Sequence, residues 1–113
     1  IPYAGRKKLA AFCDVFCEQG YFGLADAEPV LREGKTWGMA PKIHAEELTP
    51  LGGAELAADV GAYSADHLDY VSPAGMERMA AGQALQPDPD AAARAVALDR
   101  LGHVLRTARI IAA

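Results

Sequence analysis

Two histidines, each close to carboxylates, are the residues of this chain best placed to do chemistry. They lie in Lys42-Ile43-His44-Ala45-Glu46-Glu47 and in Ser64-Ala65-Asp66-His67-Leu68-Asp69. A histidine near neutral pH can bind a metal or carry a proton, and a nearby carboxylate can act as a base or orient the ring. Each follows a short apolar or small-residue run and precedes a helix-like segment. In a parallel α/β layer that point is the carboxyl edge of the sheet, where ligands bind. Neighbouring parallel strands lie about 4.8 Å apart, so side chains from adjacent strand ends can share one small site.

The elements that must position them recur in a simple order. Phe12-Cys13-Asp14-Val15-Phe16-Cys17 reads as a buried strand. A loop with Gly20 and Gly23 follows, and Asp26 is expected to cap a helix with Pro29 in its first turn. Val30, Leu31, Gly34 and Trp37 fall on one face of that helix, which Gly38 should end. Met39 to His44 is the next strand, with Pro41 near its start. Gly52-Gly53 opens a second helix, with Leu56, Ala57 and Val60 inward and Gly61 as its stop. Ala62 to His67 makes a third strand. Ser72 caps a third helix with Pro73 at its first position, and Met76, Met79 and Ala80 are its expected buried stripe before Gly82. Three such βα units call for right-handed crossovers in one parallel sheet.

The pattern breaks after Gly82. Residues 83–113 are expected to form a divergent Ala/Arg-rich tail, with Asp88 as cap, Pro89 as first helical residue, and Leu98, Leu101, Leu105 and Ala108 at helical spacing. One long amphipathic helix is predicted there, its arginines forming a solvated face. His103 lies inside it beside Gly102 and is read as structural or exposed. The fold class is therefore α/β: a partial (β/α) barrel-like segment over residues 1–82, about three parallel βα units, followed by a C-terminal amphipathic helix.

Composition narrows the functions. The chain has 113 residues, one domain at most, and 51% of them are apolar. That is enough to bury a core. Its net charge of −4 leaves no basic stripe for nucleic acid or an anionic membrane. No apolar run reaches the length of a membrane span and no signal segment is seen, so a cytoplasmic location is expected. Cys13 and Cys17, four apart on a strand, would have Cα atoms about 13 Å apart, too far for a disulfide. They read as two small buried hydrophobes; the alternative is a metal pair with His44 or His67 as co-ligands.

Four blocks carry a family resemblance: Asp14-Val15-Phe16-Cys17-Glu18, Pro41 to Glu47, Leu51-Gly52-Gly53-Ala54-Glu55-Leu56-Ala57, and Ser64-Ala65-Asp66-His67-Leu68. In that order and spacing the chain, from about Leu9 to Ala81, resembles the imidazolonepropionases, metal-dependent amidohydrolases built on a (β/α)₈ barrel. The resemblance implies an internal segment of such a barrel. It implies that His44 is a metal ligand at the end of the fifth strand and that Glu47 contacts substrate and handles the hydrolytic water. His67, on the sixth strand, would assist catalysis. The substrate implied is imidazolone propionate and the metal zinc or iron. The family block has Asp where this chain has Glu46, a position given no role.

The resemblance also implies what is absent. The family takes further ligands from a His-x-His pair on the first strand and an Asp on the eighth. Of the three histidines here, none forms His-x-His. One protein ligand does not hold a catalytic metal, since such sites commonly use three. A full barrel takes about 250 residues, and three units leave two open edges. Hydrolysis by the chain alone is therefore not expected. Its expected partner is a second copy or a complementing barrel fragment. The alternative function is a non-catalytic small α/β domain that self-associates through its sheet edges.

Overall fold

The computed structural model describes residues 1–84 and the pair Ile110–Ile111. The three expected strands are present as β1 (Phe12–Cys17), β2 (Ala40–Ala45) and β3 (Ser64–His67). They are parallel and lie side by side in sequence order, with Cys17 opposite Ala45 and Ala45 opposite His67. A short β4 (Ile110–Ile111) pairs antiparallel with β3. The rest of the expected C-terminal amphipathic helix lies outside the described residues. At Ile110 and Ile111 the chain is strand, so a helix does not run through them.

α1 (Pro2–Lys7), α2 (Leu24–Thr36), α3 (Gly53–Val60) and α4 (Pro73–Ala84) complete the described elements. α2 packs on β1 and β2, α3 on β2 and β3, and α4 on α3. α2 and α3 cover the same face of the sheet. A Cβ on Gly34 of α2 would come within 2.4 Å of the Cys13 Cβ, and one on Gly53 of α3 within 2.4 Å of the Ala45 Cβ. Cys13 and Ala45 have the same parity in the register, so both helices lie on one side. Strands in sequence order with crossovers on one side are the winding of a (β/α) barrel rather than of a doubly wound sheet.

The core sits in that layer. Val15, Cys17, Ile43, Ala45 and Ala65 meet Ala27 and Leu31 of α2 and Ala54, Leu56, Ala57 and Val60 of α3. Leu31, Ile43 and Leu68 are wholly buried. Each contributes roughly 1.5–3 kcal/mol through the apolar area it removes from water. Burial pushes the Cys17 thiol up to about 11, with Glu18 and Glu46 nearby adding to the shift. Cys13 is half-buried, its thiol is also raised by burial, and its Sγ lies 3.6 Å from the Val30 carbonyl. Both cysteines are free, which matches the reading of small core side chains.

Several local expectations are corrected. Asp26 does not cap α2. Gly23 stands at the cap, and the helix starts three residues earlier, leaving Pro29 beyond the first turn. The exposed Pro29 is tolerated because Ala27, Leu31 and Gly34 dock the helix on either side of it. In α4, Met79 and Gly75 are buried, but Met76 and Ala80 are exposed. Gly75 approaches the Ala54 Cβ and the Glu55 carboxylate, and this contact turns the Gly75–Met79 line toward α3. Ser72 does cap α4, accepting a hydrogen bond from the Gly75 amide at 2.9 Å. Gly38 and Gly61 end α2 and α3 at φ 80° and 64°, a backbone region open to glycine at little cost.

Candidate functional site

The face of the sheet opposite α2 and α3 carries a different set of side chains. Phe12, Asp14 and Phe16 alternate out of β1 on this face, opposite Ala40, Lys42 and His44 of β2. Ser64 and Asp66 follow on β3. Phe12 stacks on Tyr63 with ring centroids 5.1 Å apart, and the Lys42 ammonium lies 5.8 Å from the Phe12 ring centre.

His44 stands at the centre. Its Nδ1 lies 3.0 Å from Asp14 Oδ1 and its Nε2 3.7 Å from Asp66 Oδ2. A carboxylate accepts, so a proton carried on Nδ1 is donated to Asp14, while Nε2 faces Asp66. A carboxylate behind a histidine fixes its tautomer and ring orientation. Asp66 Oδ2 is also 3.4 Å from Lys42 Nζ and 3.5 Å from Ser64 Oγ.

His67 joins this group despite its register. It pairs with Ala45, whose side chain faces the helices. Strict alternation would send His67 the same way. His67 and Leu68 instead both take left-handed backbone, φ 75° and 63°, and the pleat ends there. The Leu68 amide donates to the Ala45 carbonyl at 3.0 Å, and the Tyr70 amide to the Glu46 carbonyl at 2.9 Å, fixing the turn against β2. The His67 ring thereby lies 5.5 Å from that of His44, and its Nε2 is 3.5 Å from Glu47 Oε2. Both His67 and Glu47 are partly exposed. Two consecutive non-glycine residues at positive φ are uncommon and gather at functional edges.

The loop between β2 and α3 presents Glu47. Glu46, wholly buried and itself at φ 54°, turns the chain. Its carboxylate accepts from the Gly52 amide at 3.1 Å and the Ala54 amide at 3.2 Å. It thus caps α3 from six residues upstream, serving amides that have no partner in the helix. Burial nevertheless raises its carboxyl above the ordinary glutamate value, more than these two bonds lower it.

The structure brings His44, Glu47 and His67 close to one another. It adds Asp14 and Asp66, which touch His44. Asp14 has one signal in the sequence: it is the polar residue of an otherwise apolar β1, two positions from each neighbour on its face. Glu46 acquires a structural role that the sequence reading does not assign. A metal fits less well. Among the described residues, no group of three or more His, Cys, Asp or Glu side chains could hold an ion. The Lys42 ammonium beside Asp66 further opposes a cation at that carboxylate. Cys13 and Cys17 face the helix side and join no site.

The fold and this edge define a segment of parallel βα units with paired imidazole and carboxylate groups at the carboxyl ends of its strands. Sequence comparison gives that class a particular family. The chain is 59% identical over 80 residues to an imidazolonepropionase from Shouchella clausii, covering 71% of this chain and 18% of that protein. It is 52% identical over 80 residues to one from Bacteroides fragilis, covering 71% and 19%. It is 56% identical over 82 residues to one from Geobacillus kaustophilus, covering 73% and 19%. The chain therefore spans about a fifth of the length of these relatives, and the matched stretch is homologous to the imidazolonepropionases. No family model matches the chain.

Proposed function

We propose that this chain supplies the central part of an imidazolonepropionase-type active site and is not a complete catalyst alone. The observation that carries the reading is the meeting of His44, Glu47 and His67 at one sheet edge, within a stretch homologous to those enzymes. The reaction is hydrolysis of 4-imidazolone-5-propanoate to N-formimino-L-glutamate. Water adds to a ring carbon, one ring C–N bond breaks, and the proton lost by water is returned to the nitrogen that leaves. Glu47 and His67 suit that transfer, because a carboxylate paired with an imidazole can take a proton and pass it on near neutral pH. Asp14 holds the His44 ring in place.

His44 contributes one ligand to a zinc or iron ion only where further ligands come from outside the described residues. The described part forms the βα segment, and residues 83–113 are a divergent tail. No helix among the described residues is long and apolar enough to cross a membrane. We place the chain in the cytoplasm with a small-molecule substrate and no nucleic-acid partner.

The test uses the purified chain, alone and mixed with a polypeptide that supplies a His-x-His strand and an Asp-bearing strand. Metal content and loss of the imidazolone absorbance are followed. No turnover alone and turnover on mixing, abolished by His44→Ala, are the expected results. Turnover by the chain alone, or turnover on mixing that survives His44→Ala, would overturn the reading.

One observation favours a second reading, a non-catalytic domain that self-associates. Among the described residues β1 is an outer strand of six residues, and its first residue, Phe12, is 44% exposed. An open strand edge of that length invites pairing. Light scattering separates the two readings: a stable dimer that no barrel fragment displaces supports association, and a monomer excludes it.

A further inference from the structure

Glu18 directly follows β1 and is wholly buried, although the reaction assigned above makes no use of it. Its backbone is held by a tight turn: its amide donates to the Phe22 carbonyl and its carbonyl accepts from the Tyr21 amide, both at 3.0 Å. Its carboxylate crosses to the β2–α3 loop. Oε2 accepts from the Leu48 amide at 3.0 Å, and Oε1 accepts from the Gln19 amide at 3.0 Å and from the Thr49 hydroxyl. Leu48 and Thr49 are the two residues that follow Glu47.

On the other side of Glu47 stands Glu46, whose carboxylate is committed to the amides of Gly52 and Ala54. Glu47 thus lies on a short loop tied down by one buried carboxylate reaching forward to α3 and by another reaching across from β1. A loop whose amides answer to fixed, buried acceptors has little freedom. Fixing the backbone on both sides of Glu47 narrows the positions that its side chain can reach. Burying a carboxylate is costly unless it is fully hydrogen-bonded. Two such groups flanking one partly exposed carboxylate indicate a device for aiming it.

We propose that Glu18 is a positioning residue: it anchors Leu48 and Thr49 so that Glu47 is presented to His67. The inference rests on the reading of Glu47 and His67 as the reactive pair. Glu18 touches neither of them, and its carboxylate is spent on the loop. In Glu18→Gln, one oxygen can still accept from Gln19 and Thr49. The amide nitrogen that replaces Oε2 then faces the Leu48 amide, donor against donor, and pushes the loop away.

The test is NMR on the isotope-labelled full chain, following the cross-relaxation peak between the Glu47 side chain and the His67 ring. Wild type should show this peak. In Glu18→Gln it should fall severalfold while the cross-strand peaks between β1 and β2 persist, a result that general loss of stability does not produce. A peak of undiminished strength in Glu18→Gln overturns the proposal. If that variant does not fold, Thr49→Val decides: it removes one donor to Oε1, and the peak should weaken, whereas an unchanged peak overturns the proposal. Absence of the peak in wild type overturns it as well. Failure of the mixed chains to turn over substrate, with these NMR results as expected, counts against the catalytic reading and leaves the positioning of Glu47 standing.

Discussion

Ile43 and His44 are neighbours in β2 and point to opposite sides of the sheet. Ile43 is wholly buried among Leu31, Ala27 and the α3 side chains, whereas the His44 side chain is 35% exposed and held by one carboxylate from each flanking strand. The helix side is close-packed and apolar, and its glycines admit neighbours to within a methyl group's radius. The opposite side mixes the aromatic rings of Phe12 and Phe16 with ionic contacts of 3.0 to 3.7 Å among Asp14, Lys42, His44 and Asp66. One pleat therefore carries two kinds of packing: one face builds the apolar core, and the other gathers ionisable groups that the core does not use.

The first prediction asks whether stability follows that division. Ile43→Ala should cost about 2–5 kcal/mol, through lost transfer energy and the cavity left behind. His44→Ala, one residue away, should change stability by less than about 1 kcal/mol, because its pairs are partly exposed. Denaturant midpoints of the two variants check this, and equal losses would break the comparison. Next in size, Gly34→Ala should cost about 1–3 kcal/mol, since its methyl would overlap Cys13 and α2 must shift. Thermal melts of Gly34→Ala against Gly20→Ala test whether packing or backbone freedom matters, because nothing lies within 4 Å of a Cβ at Gly20.

A third prediction sharpens the contrast between the two buried carboxylates at the edge. Burial pushes Glu18 up, yet its hydrogen bonds from Thr49, Leu48 and Gln19 together overcome this and hold it below the ordinary value. Its contribution to stability is present above its unfolded-state value and is lost as pH falls through the folded one. Glu46 is raised, so the folded chain favours its protonated form. That contribution is present below the unfolded value and is lost as pH rises through the folded one. Glu18→Gln should therefore weaken the acid-side fall in stability, and Glu46→Gln should remove a fall on raising pH. Urea midpoints measured across the carboxylate range distinguish the two slopes. The smallest effect concerns His67: with φ at 75°, His67→Gly should be more stable than His67→Ala by roughly 1 kcal/mol. Paired thermal melts read the difference.

The parts legible in the sequence are those governed by local rules. Gly38, Gly61, Ser72 and Pro73 mark helix ends because a left-handed stop, a hydroxyl cap and a fixed φ are demands of one or two residues. The strands and the edge position of both histidines follow from the same punctuation. What escapes a linear reading depends on other elements. Asp14 reaches His44 across a strand register that no local rule contains. Glu46 caps a helix six residues away, so the usual cap position shows only Gly52. The inner face of α4 follows from where Gly75 meets Ala54, which displaces Met76 to the surface. α1 has no buried residue to announce it, and its Gly5 and Arg6 lie against Trp37.

The two free cysteines give the chain a clock of its own opening. A thiol reacts as its thiolate. Cys17, buried beneath α2 with its thiol pushed up to about 11, offers almost none while the layer is closed. Alkylation at neutral pH must wait for the helix to lift, so the Cys17 labelling rate counts excursions of the core. Cys13, nearer the surface beside Gly34, counts the smaller movements of α2 alone. Two residues four positions apart thus time a local and a global event on the same strand.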